Sequence, residues 1–124
     1  MNLEDFKNYI HVPKLWGEEI WLTNIPAYCA KFLVLKDGYK CSLHRHLVKT
    51  ETFFVLEGAV NLEVQTGPNE TFQTILLEAG ENHHLLTGTC HRFSTAKPGG
   101  ALILEVSTRH DDLDVERLED SRAI

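Results

Sequence analysis

At 124 residues and 14.1 kDa, with 43% hydrophobic and 24% charged residues, the chain has the size and composition of one folded domain spanning residues 1–124. It holds no apolar run of about 18 residues, which excludes a membrane-spanning helix, and MNLEDFKNYI lacks the basic-then-apolar order of a secretory signal. Twelve Lys and Arg against eighteen Asp and Glu give a net charge of −6, which argues against nucleic acid as a partner but allows a small anion in a locally positive pocket.

Leu3, Phe6 and Ile10 recur at helical intervals and predict a short N-terminal helix that Pro13 ends. From residue 18 the pattern becomes short runs rich in Val, Ile, Phe, Thr and Leu: EIWLT, YCAKFLVL, CSLHRH, ETFFVLEG, AVNLEVQ, TFQTILLE, CHRFST and ALILEVS. Turn residues separate them at Lys36-Asp37-Gly38, Glu57-Gly58, Thr66-Gly67-Pro68-Asn69, Ala79-Gly80 and Lys97-Pro98-Gly99-Gly100. Strands at roughly 8–12-residue spacing predict an all-β sandwich or barrel with its core over about 18–108. The acidic tail after Ser107 is predicted to form a helical turn, an arm over the barrel or a solvated segment. Cys29, Cys41 and Cys90 are odd in number and show no paired spacing, so they are read as reduced apolar fillers in a cytoplasmic protein.

Four residues carry a chemical signal. His44 and His46 lie two apart on a predicted strand, so both side chains point to one face. Glu51 opens the next run and His91 nearly opens a late one. Three imidazoles and a carboxylate suit one divalent ion of Zn, Mn, Fe, Co or Ni. From Gly38 the chain reads GYKCSLHRHLVKTETFFVLEG, with intervals of five, one, four and six residues between Gly38, His44, His46, Glu51 and Gly58. That spacing resembles the first signature of the cupin superfamily. Gly80, Gly88 and His91 fall at the intervals of its second signature, with Leu86 for the usual proline and Thr95 for the usual asparagine. The resemblance implies a small jelly-roll β-barrel with His44, His46, Glu51 and His91 as metal ligands. The flanks, KLWGEEIWL and LILEVSTRHDDLDVERLEDSR, look like those of the small cupin domain of type II mannose-6-phosphate isomerases and related sugar isomerases of the D-lyxose isomerase type, from about Lys14 to Arg122. No nucleotidyltransferase domain accompanies them in this sequence, so the activity expected is that of an isolated cupin.

The resemblance implies a metal-dependent aldose–ketose isomerase acting on a sugar or sugar phosphate through an enediolate. Such chemistry needs a general base. Glu105, a lone acid in an apolar strand and on one face with Ile103 and Ser107, is the candidate if that face is the interior; otherwise it only solubilises the strand. Lys31 is a second catalytic candidate, as a ligand of a sugar oxygen or an acid, or else a snorkelling surface lysine. Lys49, between His46 and Glu51, is a candidate for an anionic substrate or a solvated loop residue, and Phe53 and Phe93 are candidate pocket walls. Arg92 should point away from the metal and pair with the acidic tail. His83 and His84 are read as surface or edge residues, while His11 and His110 carry no spacing argument. Trp16 and Trp21 are expected to close a barrel end or an interface. Two further functions stay open: a cupin dioxygenase or other metal oxidoreductase, and a non-catalytic sugar-binding cupin. Exposed sheet edges lead to the expectation of a homodimer.

Overall fold

The computed structural model describes residues 1–65, 67 and 71–124; of the turn expected at Thr66-Gly67-Pro68-Asn69, all but Gly67 lie outside the described residues. The strands are β1 (Ile10–Lys14), β2 (Gly17–Asn24), β3 (Cys29–Leu35), β4 (Tyr39–Lys40), β5 (Leu43–Arg45), β6 (Glu51–Glu57), β7 (Ala59–Gln65), β8 (Gln73–Glu78), β9 (Asn82–Leu85), β10 (Cys90–Thr95), β11 (Ala101–Ser107), β12 (Glu116–Glu119) and β13 (Arg122–Ala123). The eight apolar runs supply β2, β3, β5 to β8, β10 and β11. The ladders reach from Ile10 to Ala123, beyond the expected 18–108 core.

The N-terminal helix is not formed. One 3-10 turn, Leu3–Phe6, stands there, capped by Asn2, whose side chain accepts from the Glu4 amide at 3.0 Å. So short a segment cannot offset the cost of helix nucleation. Phe6 instead packs edge-on against Phe32 at 5.0 Å, and Ile10 to Lys14 pair with β2. Pro13 is tolerated because β1 is the edge of its sheet.

One sheet runs β1-β2-β3-β11-β6-β9. The other has β10 at its centre, with β7 and then β8 on one side. On its other side β10 pairs with β4 and β5, which in turn pair with β13 and β12. The acidic tail is therefore extended, and its strands form an edge of the second sheet.

Alternation assigns the faces. Along β6, Glu51, Phe53 and Val55 are buried between more accessible neighbours. Leu33, Leu35, Phe53, Val55 and Ile103 from the first sheet pack with Val60, Leu62, Val64, Leu77 and Phe93 from the second in one core. A separate cluster, Ile20, Phe32 and Leu102, lies on the outer face of the first sheet, beneath Leu3 and Phe6. Gly58 makes the tight β6–β7 turn at φ +78°; a Cβ there would lie 2.4 Å from the Gly100 carbonyl oxygen. All three cysteines are free and buried, and burial pushes the Cys41 thiol up to about 12. No helix among the described residues is long and apolar enough to cross a membrane.

Candidate metal centre and cavity

The second sheet carries a row of residues in register across its inner face. Arg117 on β12 is opposite His44 on β5, His44 is opposite His91 on β10, and His91 is opposite Val64 on β7. Directly opposed residues share a face, so both histidines point between the sheets. His46 follows two residues after His44 on the same side. Glu51, at the start of β6, reaches across from the first sheet.

Each histidine is held in one tautomer. The Nδ1 atoms donate to backbone carbonyls: His44 to Ser42 at 2.8 Å, His46 to Asp114 at 2.8 Å, His91 to Thr89 at 3.0 Å. A carbonyl only accepts, so Nδ1 carries a proton in each ring and Nε2 is the atom turned toward the group. His91 Nε2 lies 3.0 Å from Glu51 Oε1, and His46 Nε2 lies 3.6 Å from the same oxygen. Burial, with His91 nearby, depresses His44 to about 3, so it is neutral. Burial alone would raise the Glu51 carboxyl, but His91, Lys49 and His46 outweigh it and hold the group ionised.

The residues fit a divalent cation. One ligand atom from each of His44, His46, Glu51 and His91 lies within 4.8 Å of the others. Both Glu51 oxygens and His91 Nε2 are buried without a hydrogen bond of acceptable geometry among the described residues. Such orphaned atoms cost free energy unless a partner satisfies them. Three imidazoles and one carboxylate match borderline divalent metals, and the backbone carbonyls behind the rings orient them.

A cavity of about 200 Å³ opens beside this group. His44, His46 and Glu105 line it together with Trp16, Phe53 and Phe93. Phe93 stacks edge-on against Trp16 at 5.0 Å and against Phe53 at 5.9 Å, giving the cavity an aromatic wall. Glu105 shares the inner face with Ile103 and Ser107 and is 5% exposed. Burial, reinforced by the Glu51 charge, pushes its carboxyl up to about 7 against the pull of Lys49 and Lys31.

The family described as mannose-6-phosphate isomerase C-terminal matches residues 2–120. The chain belongs to that family, a cupin-type domain. It is 32% identical to the D-lyxose/D-mannose isomerase of Thermosediminibacter oceani, with 72% of this chain and 60% of that protein covered. The chain thus spans about three fifths of the curated relative it matches. Among solved structures, oxalate decarboxylase from Bacillus subtilis superposes with a TM-score of 0.79 at 15% identity, covering 91% of this chain and 31% of that one. The capsular polysaccharide assembling protein CapF from Staphylococcus aureus gives 0.81 at 15% identity, covering 90% and 34%. Both likenesses are of fold.

In this cupin the two lysines singled out in the sequence are neither surface residues nor part of the cavity lining. Lys31 is 1% exposed, so it does not snorkel; Nζ lies 3.3 Å from Glu19 Oε1 and 4.5 Å from the Trp21 ring centre. Lys49 is 2% exposed, so it is not a solvated loop lysine. Its Nζ lies 3.1 Å from Glu105 Oε2, 3.4 Å from Glu51 Oε2 and 3.0 Å from His110 Nδ1. Lys49 is placed there because its loop is pinned: the Asp114 carboxylate accepts from the amides of Leu47, Val48 and Lys49 at 2.8 to 2.9 Å. Arg92 turns away from the metal group and donates to the Cys41 carbonyl and to Glu119 Oε1 at 3.2 Å. His83 and His84 lie on β9, an edge strand, with His84 Nδ1 2.6 Å from Thr52 Oγ1.

Sequence reasoning missed His110, Glu19, Lys14 and Arg117, all of which line the cavity. His110 accepts from Lys49 at Nδ1 and donates from Nε2 to Asp112 Oδ1 at 2.7 Å. Parity on β2 could have found Glu19, since it shares a face with Trp21. The rest depend on ladders and loops that no local pattern encodes.

Proposed function

We propose that this cupin is a metal-dependent isomerase that interconverts an aldose and a ketose, as a free sugar or a sugar phosphate. The observation carrying the reading is that one small cavity is lined both by two members of a His3Glu group and by a buried carboxylate poised near neutral pH. The match to a D-lyxose/D-mannose isomerase supports the sugar as substrate.

His44, His46, Glu51 and His91 would hold one divalent ion, of the Zn, Mn, Fe, Co or Ni type. When bound, that ion supplies a Lewis acid that polarises the sugar carbonyl and steadies enediolate charge. Glu105 acts as the base. Its carboxylate takes the proton from the carbon beside the carbonyl and returns it to the former carbonyl carbon, while the hydroxyl proton on that neighbouring carbon passes to the former carbonyl oxygen, so that both C–H and O–H bonds balance. A carboxyl near pH 7 suits both halves of that transfer. Lys49 positions Glu105 and offsets its charge against Glu51. Lys31, opposite Glu105 in the ladder and bound to Glu19, is a positioning residue in this scheme, in place of the contact with a sugar oxygen expected from sequence. Phe53 and Phe93 exclude water from the sugar face.

The test is proton NMR in deuterated water. Metal-loaded protein is incubated with a panel of aldoses, ketoses and their phosphates beside a chelated control. Metal-dependent deuterium uptake at the carbon next to a carbonyl is the expected result. No exchange across the panel, with metal bound, sinks the isomerase reading in favour of an oxygen-using or purely binding cupin.

A further inference from the structure

His110 stands between β11 and β12, where the chain enters its tail. Asn24, the last residue of β2, clasps its backbone at two points. The His110 amide donates to Asn24 Oδ1 at 2.9 Å, and Asn24 Nδ2 donates to the His110 carbonyl at 3.1 Å. The His110 ring meets Trp21, on the same strand, edge-on at 5.4 Å. Trp21 is itself fixed: Nε1 donates to Glu19 Oε1 at 3.0 Å, and Lys31 Nζ lies over its ring at 4.5 Å. The end of β2 thus sets where the His110 ring lies, across 86 residues of chain. That side chain is 9% exposed and lines the cavity.

Both ring nitrogens are engaged, in one tautomer. Lys49 Nζ carries donors alone, so His110 Nδ1 accepts from it at 3.0 Å. Nε2 then carries the proton and donates to Asp112 Oδ1 at 2.7 Å. The neutral ring therefore joins a buried ammonium to a carboxylate whose side chain is 83% exposed. Polar groups in such a chain polarise one another and hold their directions. The same Nζ lies 3.1 Å from Glu105 Oε2 and 3.4 Å from Glu51 Oε2. Two carboxylates leave an ammonium on a flexible four-carbon stem free to favour either one. A third acceptor, fixed by β2, holds it between them. Shape alone does not account for this arrangement, since phenylalanine would pack against Trp21 and offer Lys49 nothing.

We propose that His110, oriented by Asn24, Trp21 and Asp112, is a positioning residue for the proton transfer: it anchors Lys49 and, through Lys49, aims the Glu105 carboxylate at the substrate carbon. The role rests on the reading of Glu105 as the base. His110 makes and breaks no bond in it, and the carbon-bound proton moves only between substrate and Glu105. Misplacing a reacting group by about 1 Å costs on the order of 10²-fold in rate. The metal group and the aromatic wall keep their places when the His110 acceptor is removed. The loss therefore falls on turnover and spares sugar affinity.

The experiment compares the full-length wild type with two variants. His110→Phe keeps a flat ring without an acceptor, and His110→Asn returns an acceptor, Oδ1, close to the place of Nδ1. In chelated protein, nitrogen NMR follows the His110 ring and the Lys49 ammonium. The wild type is expected to show the Nε2–H tautomer and an ammonium signal sheltered from exchange with water. That signal is expected to be lost in His110→Phe and kept in His110→Asn. In metal-loaded protein, deuterium exchange is followed on the sugar of the panel that the wild type turns over fastest. His110→Phe is expected to lose kcat by about ten- to hundredfold with KM within about twofold, and His110→Asn to recover most of it. Equal kcat losses in the two variants, a raised KM with kcat kept, or the Nδ1–H tautomer in the wild type overturns the proposal. Should His110→Phe not fold, Asn24→Ala frees the His110 backbone without touching the ring; a lowered kcat supports the role and an unchanged one overturns it. An ammonium signal lost in His110→Phe, beside a wild type that exchanges no sugar, removes the isomerase and leaves His110 as the anchor of Lys49. Exchange retained in full by His110→Phe removes the positioning role and leaves the isomerase.

Discussion

With Nζ 3.1 Å from Glu105 and 3.4 Å from Glu51, Lys49 separates two buried carboxylates that would otherwise repel. Removing one member of a buried charge cluster leaves the others uncompensated, at a cost of about 3–5 kcal/mol. Lys49→Met is accordingly expected to shift the urea midpoint strongly downward. Glu105→Gln removes the base but keeps the shape and the Lys49 contact. Its expected effect is a loss of deuterium exchange of about 10²-fold or more, with metal content unchanged. Retained exchange in that variant would show that another group moves the proton. The resemblance to the cupin signatures made the four candidate ligands legible, His44, His46 and Glu51 through the spacing of two strands and their turn and His91 through its intervals from Gly80 and Gly88. The sequence made Glu105 legible by parity alone. The burial of Lys49 was not legible, because it depends on Asp114, more than sixty residues away, folding the loop inward.

At the scale of the element, the tail is the part that local pattern could not resolve. β12 pairs with β5 and β13 with β4 over only a few residues. What anchors them is Arg92, 4% exposed, which joins the Cys41 carbonyl to Glu119 and to the Asp120 carbonyl at 3.3 Å. Arg92→Ala is expected to speed amide hydrogen exchange across residues 116–123 while β6 and β11 stay protected; uniform change across the chain would contradict the anchor. The outward turn of Arg92 was readable from parity with His91, whereas the pairing of β12 and β13 required the tail to find two short open edges. A second tether is Asp37, whose carboxylate accepts from the Gly99 amide at 2.7 Å and the Gly100 amide at 3.1 Å. The Gly99 bond, first among several, holds its carboxyl below the ordinary range. A depressed folded-state pKa gives stabilisation that is present above the unfolded value, near 3.9, and is lost as pH falls through the folded value. The melting temperatures of wild type and Asp37→Asn are therefore expected to differ at pH 6 and converge toward pH 2. Divergence on acidification would refute the tether.

Across the whole molecule, two sheets close over one core, and the metal group sits where that core gives way to polar residues. The all-β architecture was legible because eight short apolar runs with turn residues between them allow little else, whereas the described strands pair into two separate sheets and not into the closed barrel that the resemblance implied. The expected N-terminal helix failed because three apolar positions at helical spacing do not outweigh pairing with a ready sheet edge. The outer face of the first sheet keeps Leu22, Val34, Leu56 and Leu104 only partly buried, with Val106 41% exposed. A homodimer covering this face is expected to sediment at twice the 14.1 kDa chain mass at micromolar concentration, and a monomer mass there would exclude it. Binding an ion to the native state alone adds about 2.7 kcal/mol at a hundredfold excess over its dissociation constant, so a loaded protein should melt several degrees above a chelated one.

The most direct test of a metal centre at the heart of this fold is metal content itself. Wild type, His44→Ala and His91→Ala are each loaded with one divalent ion at a time, desalted and assayed by plasma mass spectrometry. The expected result is a single ion per wild-type chain and a sharp loss in both variants, since each removes a lone pair that its backbone carbonyl had oriented. A wild type that retains no ion, or variants that retain as much as wild type, would contradict the centre and the chemistry built on it.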